Sequence, residues 1–262
     1  MGAIPAYRHA DPGDAEAIAN LMLHASGDIL RFLLDELAPE LCQRALMTCM
    51  VSRQDGPRSY RRCIVAQVDG VVVGVANAFP AAAIRQDASA MAPTARERWL
   101  GPLSELQDWS SLLLNSLAVN PLFRCLGIGS GLIGCVVAQA RSEGFPDLTL
   151  HVWADNAPAR RLYRRRGFEE IAWADIAAHP ALPHEGGSFL MRRPSHDVDG
   201  RAACGPSHGR WTPIAIAPAV TPCDTTKPKT CAADLDYSVS RRETLPVIAA
   251  QRSDVAGSAA SF

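Results

Sequence analysis

Residues 117–130 have the sequence Leu117-Ala-Val-Asn-Pro-Leu-Phe-Arg124-Cys-Leu-Gly127-Ile-Gly129-Ser130. The apolar run at its start predicts a strand, and the two glycines predict a turn that leads into a helix. Such a turn presents backbone N–H groups at the positive end of the helix dipole, and its glycines let a ligand approach closely. The stretch therefore predicts a binding site for a phosphate or pyrophosphate.

A dinucleotide site of the Rossmann type is an alternative, because Gly127-Ile-Gly129 is half of its glycine pattern. The third glycine of that pattern would fall at position 132, which is leucine. The acidic residue that the pattern places about 20 positions later falls at Asp147, before the next predicted strand rather than at its end. Both departures argue against a Rossmann site.

The sequence on either side of this stretch predicts alternating strands and helices. The turn residues Asp69-Gly70 separate two β-rich runs and predict a type I′ hairpin. Residues 80–110 contain three prolines and predict a mobile or partly helical insertion. The predicted strands are 6–9, 63–68, 71–79, 112–119, 147–153, 168–174 and 189–192, and the predicted helices are 11–25, 29–52 with a break at Pro39, 129–141 and 157–166.

Two motifs together resemble a known family. The pattern Arg124-x-x-Gly127-x-Gly129 after a strand is similar to the pyrophosphate-binding motif of the GNAT superfamily of N-acyltransferases. Residues 155–168, Asp-Asn-Ala-Pro-Ala-Arg-Arg-Leu-Tyr-Arg-Arg-Arg-Gly-Phe, resemble that family's second motif at the usual distance. With the hairpin and the order of elements, the resemblance covers residues 5–193.

The resemblance implies the GNAT fold: a mixed sheet flanked by helices, of the α/β class, in which two parallel central strands splay apart and admit acetyl-CoA. Pantetheine then lies beside the first of these strands, and the turn from Arg124 to Ser130 binds the pyrophosphate, mainly through backbone N–H groups. Asn156 is either a further CoA contact or only a helix N-cap. The implied cofactor-binding residues are Leu117, Ala118, Val119, Arg124, Cys125, Leu126, Gly127, Ile128, Gly129, Ser130 and Asn156.

The chemistry implied by the resemblance is direct acetyl transfer from acetyl-CoA to an amine, without a metal. A neutral amine attacks the thioester carbonyl, and a backbone N–H near a bulge after Leu117 stabilises the oxyanion. Tyr163 matches the family's usual general acid, which protonates the departing thiolate. A half-buried aromatic residue at helical spacing from Ala159 is the simpler interpretation of Tyr163.

Composition narrows the partners and the compartment. The net charge of −1 gives no indication of a nucleic-acid surface, so a small-molecule amine or a protein amine is the expected acceptor. No apolar run approaches the length of a membrane span, and the first residues do not resemble a secretory signal, so a cytoplasmic protein is expected. The eight cysteines are scattered and are expected to be reduced thiols. A homodimer is left open.

The predicted domain ends at Pro194. Beyond it the sequence is rich in Gly, Pro, Ser and Thr, poor in large apolar residues, and without helical or strand periodicity. We therefore expect residues 1–194 to form the GNAT N-acetyltransferase domain and residues 195–262 to be a disordered tail.

The sequence does not identify the general base or the acceptor. Many members of the family carry a carboxylate on the fourth strand, but residues 111–119 contain no acid. Glu105, Asp108 and His151 are the candidates for the base, and an amine that arrives neutral needs little help. The alternative function is a catalytically idle acyl-CoA-binding module that acts as a sensor or interaction partner.

Overall fold

The computed structural model describes residues 4–25, 29, 32, 33, 36, 42–88 and 94–196, and every structural statement below concerns these residues. Seven strands form one sheet in the order β1-β2-β3-β4-β5-β7-β6. Neighbouring strands are antiparallel except β4 and β5, which are parallel. The strands are β1 Ala6–His9, β2 Cys63–Val68, β3 Val71–Pro80, β4 Leu112–Val119, β5 Asp147–Trp153, β6 Glu169–Ala174 and β7 Ser188–Pro194.

Seven α-helices can be delimited in the described residues, and residues 29, 32, 33 and 36 are helical as well. The longest of the seven follows β4 after the turn at 120–127. None of them is long and apolar enough to cross a membrane. The helices are α1 Ala15–Ala25, α2 Gln43–Ser52, α3 Ala83–Ala88, α4 Ala95–Trp99, α5 Gly101–Leu106, α6 Ile128–Ser142 and α7 Ala157–Arg165. The predicted mixed α/β fold is confirmed. Within residues 80–110, three short helices agree with the partly helical form of the predicted insertion.

The sheet has a separate core on each face because side chains alternate along its strands. On one face, Leu148 and Leu150 of β5 pack with Leu132 and Val136 of α6. On the other face, Val65 and other residues of β2 and β3 pack against α1 and α2. A third cluster lies near the end of β5 on this second face and includes Phe32, Leu100, Trp153, Ile176 and Leu182.

The predicted hairpin is confirmed by its backbone. Asp69 has φ 49° and Gly70 has φ 83°, so both turn residues lie in the left-handed region that a type I′ turn requires. The pairing of Val68 with Val71 closes the hairpin and sets the register of β2 on β3.

The parallel strands β4 and β5 separate after a short paired segment. Leu112 pairs with Leu148 and Leu113 with Thr149, and the pairing ends there. Beyond this point, one edge of β4 over residues 114–119 faces a split in the sheet rather than a neighbouring strand. The splayed central strands that the family resemblance implies are therefore present.

A β-bulge in β4 lies beside this split. Asn77 of β3 pairs with Ser116, and Ala78 pairs with Leu114, so Asn115 is the extra residue. The bulge was expected after Leu117 and instead lies two residues before it. A bulge bends its strand and increases the local twist, which fits the departure of β4 from β5.

The C-terminal end of the domain includes Ser195. Its N–H donates to the carbonyl oxygen of Pro146 at 2.8 Å, and its hydroxyl donates to that of Phe145 at 2.6 Å. The guanidinium of Arg141 donates to the Ser195 carbonyl oxygen from Nη2 at 2.9 Å. Ser195 therefore packs with the domain, although the predicted tail begins there, and residues 197–262 of the predicted tail 195–262 lie outside the described residues.

We predict that a chain ended after His196 melts like the full chain, because no described contact is removed. A chain ended after Pro194 loses the Ser195 hydrogen bonds, each of which contributes about 1 kcal/mol. Its melting temperature should fall by several degrees, at roughly 2–4 °C per kcal/mol for a domain of this size. Scanning calorimetry of the three chains is the measurement. A large fall for the chain ended after His196 would show that the tail packs on the domain.

Candidate functional site

Two hydrogen bonds fix the start of the turn after β4. The N–H of Asn120 donates to the carbonyl oxygen of Val73 at 2.8 Å, which fixes the end of β4 against β3. The side-chain Oδ1 of Asn120 accepts from the N–H of Leu122 at 3.0 Å and caps one turn of 3-10 helix, Pro121–Phe123. The turn therefore has a defined start before its two left-handed residues.

The second half of the turn is shaped to bind an anion. Cys125 has φ 62° and Gly127 has φ 82°, and α6 begins at the next residue, Ile128. Left-handed residues close to right-handed ones turn successive N–H groups toward one side of the chain, which forms an anion-binding concavity. No described group accepts a hydrogen bond from the backbone N–H groups of residues 125–130. The next backbone N–H, that of Gly131, donates to the Gly127 carbonyl oxygen at 3.0 Å.

The dipole of α6 adds positive charge beside these unpaired N–H groups. Since α6 has 15 residues, its N-terminus carries roughly half a positive charge beside these N–H groups. The Arg124 side chain is exposed at the edge of the turn, where its Nε donates to the Val119 carbonyl oxygen at 3.3 Å. The arrangement favours a phosphate or pyrophosphate group.

Helix α7 packs next to this turn. A side chain added at Gly129 would contact Cγ2 of Val119 and Cδ2 of Leu162, each 3.7 Å from its Cβ. The end of β4, the start of α6 and the middle of α7 therefore meet at one place.

Asn156 begins α7 as its N-cap, because its Oδ1 accepts from the N–H of Ala159 at 3.2 Å. The capping interpretation of Asn156 is thereby confirmed, and a contact with CoA stays a prediction.

Tyr163 follows Leu162 on α7 and is half-buried. Its ring meets that of Phe168 edge-on, with 5.7 Å between centroids, and it packs against the core on the α6 face. Its hydroxyl forms no hydrogen bond with the described residues. Burial raises the pKa of Tyr163 to about 12, so the phenol stays protonated at neutral pH. Tyr163 does pack as an aromatic residue, and its role as an acid stays a prediction.

The side chains of three consecutive residues of β4 lie on alternate faces of the sheet beside the split. Leu117 and Val119 pack toward α6, whereas Ala118 is buried on the α1 face. Their side chains therefore leave the strand edge itself uncovered. The backbone groups on that edge can pair with a ligand that lies along the strand.

Polar side chains line the split on the α1 face. Asn115 Nδ2 donates to Oδ1 of the buried Asn77 at 3.2 Å, and Ser116 lies next to it. Across the split, His151 of β5 contacts Gln107. Asn115 and Gln107 were not among the predicted residues, because only the bulge and the fold place them there.

The three candidate bases have different surroundings. Glu105 is exposed on α5. The Asp108 carboxylate accepts from the N–H and the hydroxyl of Ser110, so it is used within its own loop. His151 is at the split, and burial lowers its pKa to about 4.

Comparison with known proteins identifies the family. The model of the acetyltransferase (GNAT) family matches residues 30–168. The chain belongs to the GNAT family. No curated protein shows a significant match to its sequence.

Solved structures share the GNAT fold of this chain. One, described as an acetyltransferase, is 24% identical with a TM-score of 0.54, and the match covers 73% of this chain and 100% of the other. An N-acetyltransferase from Staphylococcus aureus Mu50 is 18% identical with a TM-score of 0.56, covering 71% and 99%. At these identities the likeness shows the fold alone.

Family membership joins the two motifs in one domain. The GNAT domain brings the turn at Arg124–Ser130, the strand edge at Leu117–Val119 and the helix that carries Tyr163 to the same end of the sheet. It does not bring a carboxylate to the described part of β4, where Asn115 and Ser116 stand beside the split.

Proposed function

We propose that the chain is an N-acetyltransferase that moves the acetyl group of acetyl-CoA directly to an amine. The observation that carries this proposal is the split between β4 and β5, which ends at a turn whose backbone N–H groups at residues 125–130 have no described acceptor. The free edge of β4 matches a ligand with a long amide-containing arm, and the turn that follows it matches a pyrophosphate on the same ligand. Acetyl-CoA has both.

The turn binds the pyrophosphate in this proposal. The N–H groups of residues 125–130 donate to its oxygens, and the helix dipole stabilises the negative charge. The pantetheine amides pair with the free edge of Leu117–Val119, as a further strand would. Since the arm runs up the split from the turn, the thioester lies near the bulge at Asn115.

Acetyl transfer then needs only the two substrates. The amine nitrogen attacks the thioester carbonyl carbon, the C–N bond forms and the C–S bond breaks. The amine loses one proton to solvent or a base, and the CoA sulfur gains one. Tyr163 is the proposed donor of the proton to sulfur, since its hydroxyl is protonated at neutral pH, and it recovers a proton from solvent.

The acceptor is an amine of a small molecule or of a protein, and both are compatible with this mechanism. The experiment is an assay of free CoA thiol, with acetyl-CoA and a panel of polyamines, amino acids, aminoglycosides and peptide N-termini. An amine-dependent release of CoA supports the transferase. Saturable CoA binding without release by any amine would instead support the idle acyl-CoA-binding module, which the acid-free β4 favours.

Cys125 offers a direct test of the binding site, because its thiol is exposed within the turn. We predict that acetyl-CoA slows alkylation of Cys125 by iodoacetamide, to about one hundredth at 100 times Kd, since only ~1% of the turn then stays free. Cys42 and Cys49 are exposed on the α2 side and serve as internal controls whose rates should not change. Peptide mass spectrometry measures each site. Equal protection of all three, or of none, would place the ligand elsewhere.

A further inference from the structure

Asn115, the extra residue of the bulge, is exposed to solvent although β4 lies in the middle of the sheet. A central strand is covered by its neighbours on both sides and by packed elements on both faces. Leu112, Leu113 and Leu114, which come just before Asn115, are buried in this way. The exposure begins where the pairing of β4 with β5 has ended, so solvent reaches Asn115 through the split.

The buried Asn77 fixes which end of the Asn115 amide faces β3. Nδ2 of Asn77 donates to the carbonyl oxygens of Pro57 at 3.0 Å and Arg62 at 3.2 Å. Since a carbonyl oxygen only accepts, the Asn77 amide must keep its nitrogen on these two groups and turn its Oδ1 toward Asn115. The group of Asn115 that meets this oxygen, at 3.2 Å, is therefore the donor Nδ2.

The Asn115 side chain is left with one atom to offer a ligand, its Oδ1. Nδ2 also donates to Ser116 Oγ at 3.3 Å, so both of its hydrogens are used. No described group donates to Oδ1. Because Nδ2 is held toward Asn77 on β3, the other branch of the amide points away from β3, and the split borders β4 on that side. The bulge thus presents an oriented hydrogen-bond acceptor that solvent can reach.

This acceptor lies on the α1 face of the sheet. Nδ2 of Asn77, the residue that holds Asn115, also contacts Sγ of Cys63, which belongs to the core on that face. On the opposite face, Leu150 and Val152 of β5 are buried against α6. A second substrate therefore reaches the split from the α1 face, where it meets Asn115.

We propose that Asn115 positions the acceptor amine: its Oδ1 accepts a hydrogen bond from an N–H of the amine, and the amine lone pair stays free to face the thioester. This inference rests on the proposed function, in which the thioester lies near the bulge. Asn115 takes part through a hydrogen bond only, since a carboxamide does not take up a proton at neutral pH. The proton that the amine loses when the C–N bond forms passes to solvent or to another group.

The first test is carbon-13 NMR of the full-length protein with asparagine labelled at Cγ and with CoA bound, and the spectrum of Asn115→Ala assigns the signal. The probe is 2,2,2-trifluoroethylamine, which is uncharged at neutral pH. It should shift the Cγ resonance of Asn115, because Cγ carries the oxygen that accepts the hydrogen bond. Its N,N-dimethyl derivative lacks an N–H and should not. No shift at saturation, or equal shifts with both probes, would overturn the proposal.

The second test compares two variants with an amine that the parent acetylates. Asn115→Ala should lower kcat/KM for the amine by about 10- to 100-fold, the range of a lost oriented hydrogen bond to substrate, with an unchanged Kd for acetyl-CoA. Asn115→Asp removes the donor to Asn77 but keeps an oxygen that can accept, so it should recover part of the loss. If Asn115 only held Asn77 in place, the two variants would be equally impaired, which would overturn the proposal.

Two further outcomes of this comparison are decisive. A matching loss of acetyl-CoA affinity in Asn115→Ala would assign Oδ1 to the pantetheine arm and overturn its role toward the amine. A parent that acetylates no amine overturns the transferase and this inference together, whereas an active parent with an equally active Asn115→Ala variant overturns the role of Asn115 alone.

Discussion

Gly129→Glu is expected to remove nearly all affinity for acetyl-CoA. The new carboxylate would stand at the second residue of α6, against the pyrophosphate that the turn is proposed to bind. Two like charges about 4 Å apart repel by about 4 kcal/mol at an effective dielectric constant of 20, which corresponds to roughly a thousandfold weaker Kd. Isothermal titration calorimetry measures the loss.

The fold should tolerate this change. A Cβ at Gly129 makes ordinary contacts with Val119 and Leu162, and an acidic residue in the first turn suits the helix dipole. Gly129→Ala is the matched control, and its Kd should stay within a few-fold of the parent value. An unchanged Kd in Gly129→Glu, with a parent-like melting temperature, would rule out this turn as the pyrophosphate site.

Tyr163→Phe should lower kcat by roughly 10- to 100-fold with little change in the Kd for acetyl-CoA. Phenylalanine keeps the ring that packs edge-on against Phe168, and removes only a hydroxyl that has no described partner. The effect should lie at the lower end of general acid catalysis, because a thiol of pKa about 8.5 is already a fair leaving group.

Single-turnover kinetics separates this chemical effect from product release. Phe168→Leu is a useful control, since it disturbs the same aromatic contact and leaves the Tyr163 hydroxyl in place. If Tyr163→Phe reacts as fast as the parent in a single turnover, Tyr163 is only a packing residue, and the sulfur takes its proton from water or another group.

The parts of the fold that the sequence predicted well are those set by short-range signals. Asp69-Gly70 can adopt the two left-handed conformations of a type I′ turn at little cost, and so fixes the hairpin. The step from β4 through Gly127 into α6 is likewise local. The strand split itself was implied by the family resemblance, since no pattern within β4 or β5 shows where their pairing ends.

The segment at 80–110 contains a local signal for the start of a helix. Thr94 and Glu97 form a capping box, in which each side chain accepts from the other residue's N–H, at 3.1 and 2.8 Å. The pattern Thr-x-x-Glu predicts a helix start at this point. This local pattern is sufficient to predict the start of α4.

The polar network at the split could not be predicted from the sequence. Gln107 and His151 are 44 residues apart, and Ser111 and Thr149 are 38 apart. Their contacts depend on the register of two parallel strands and on the path of the loop after α5. Asn115 similarly depends on a bulge, which the residue pattern of β4 does not show.

The central claim is tested most directly by following an acetyl group labelled with carbon-13 from acetyl-CoA in the presence of the amine panel. The proposed function predicts that mass spectrometry finds the label in an N-acetylated amine, and that one free CoA forms for each amide. It also predicts that Gly129→Glu abolishes both products at a fixed low acetyl-CoA concentration. Label that stays in acetyl-CoA, or appears only as acetate, with every amine would contradict the claim.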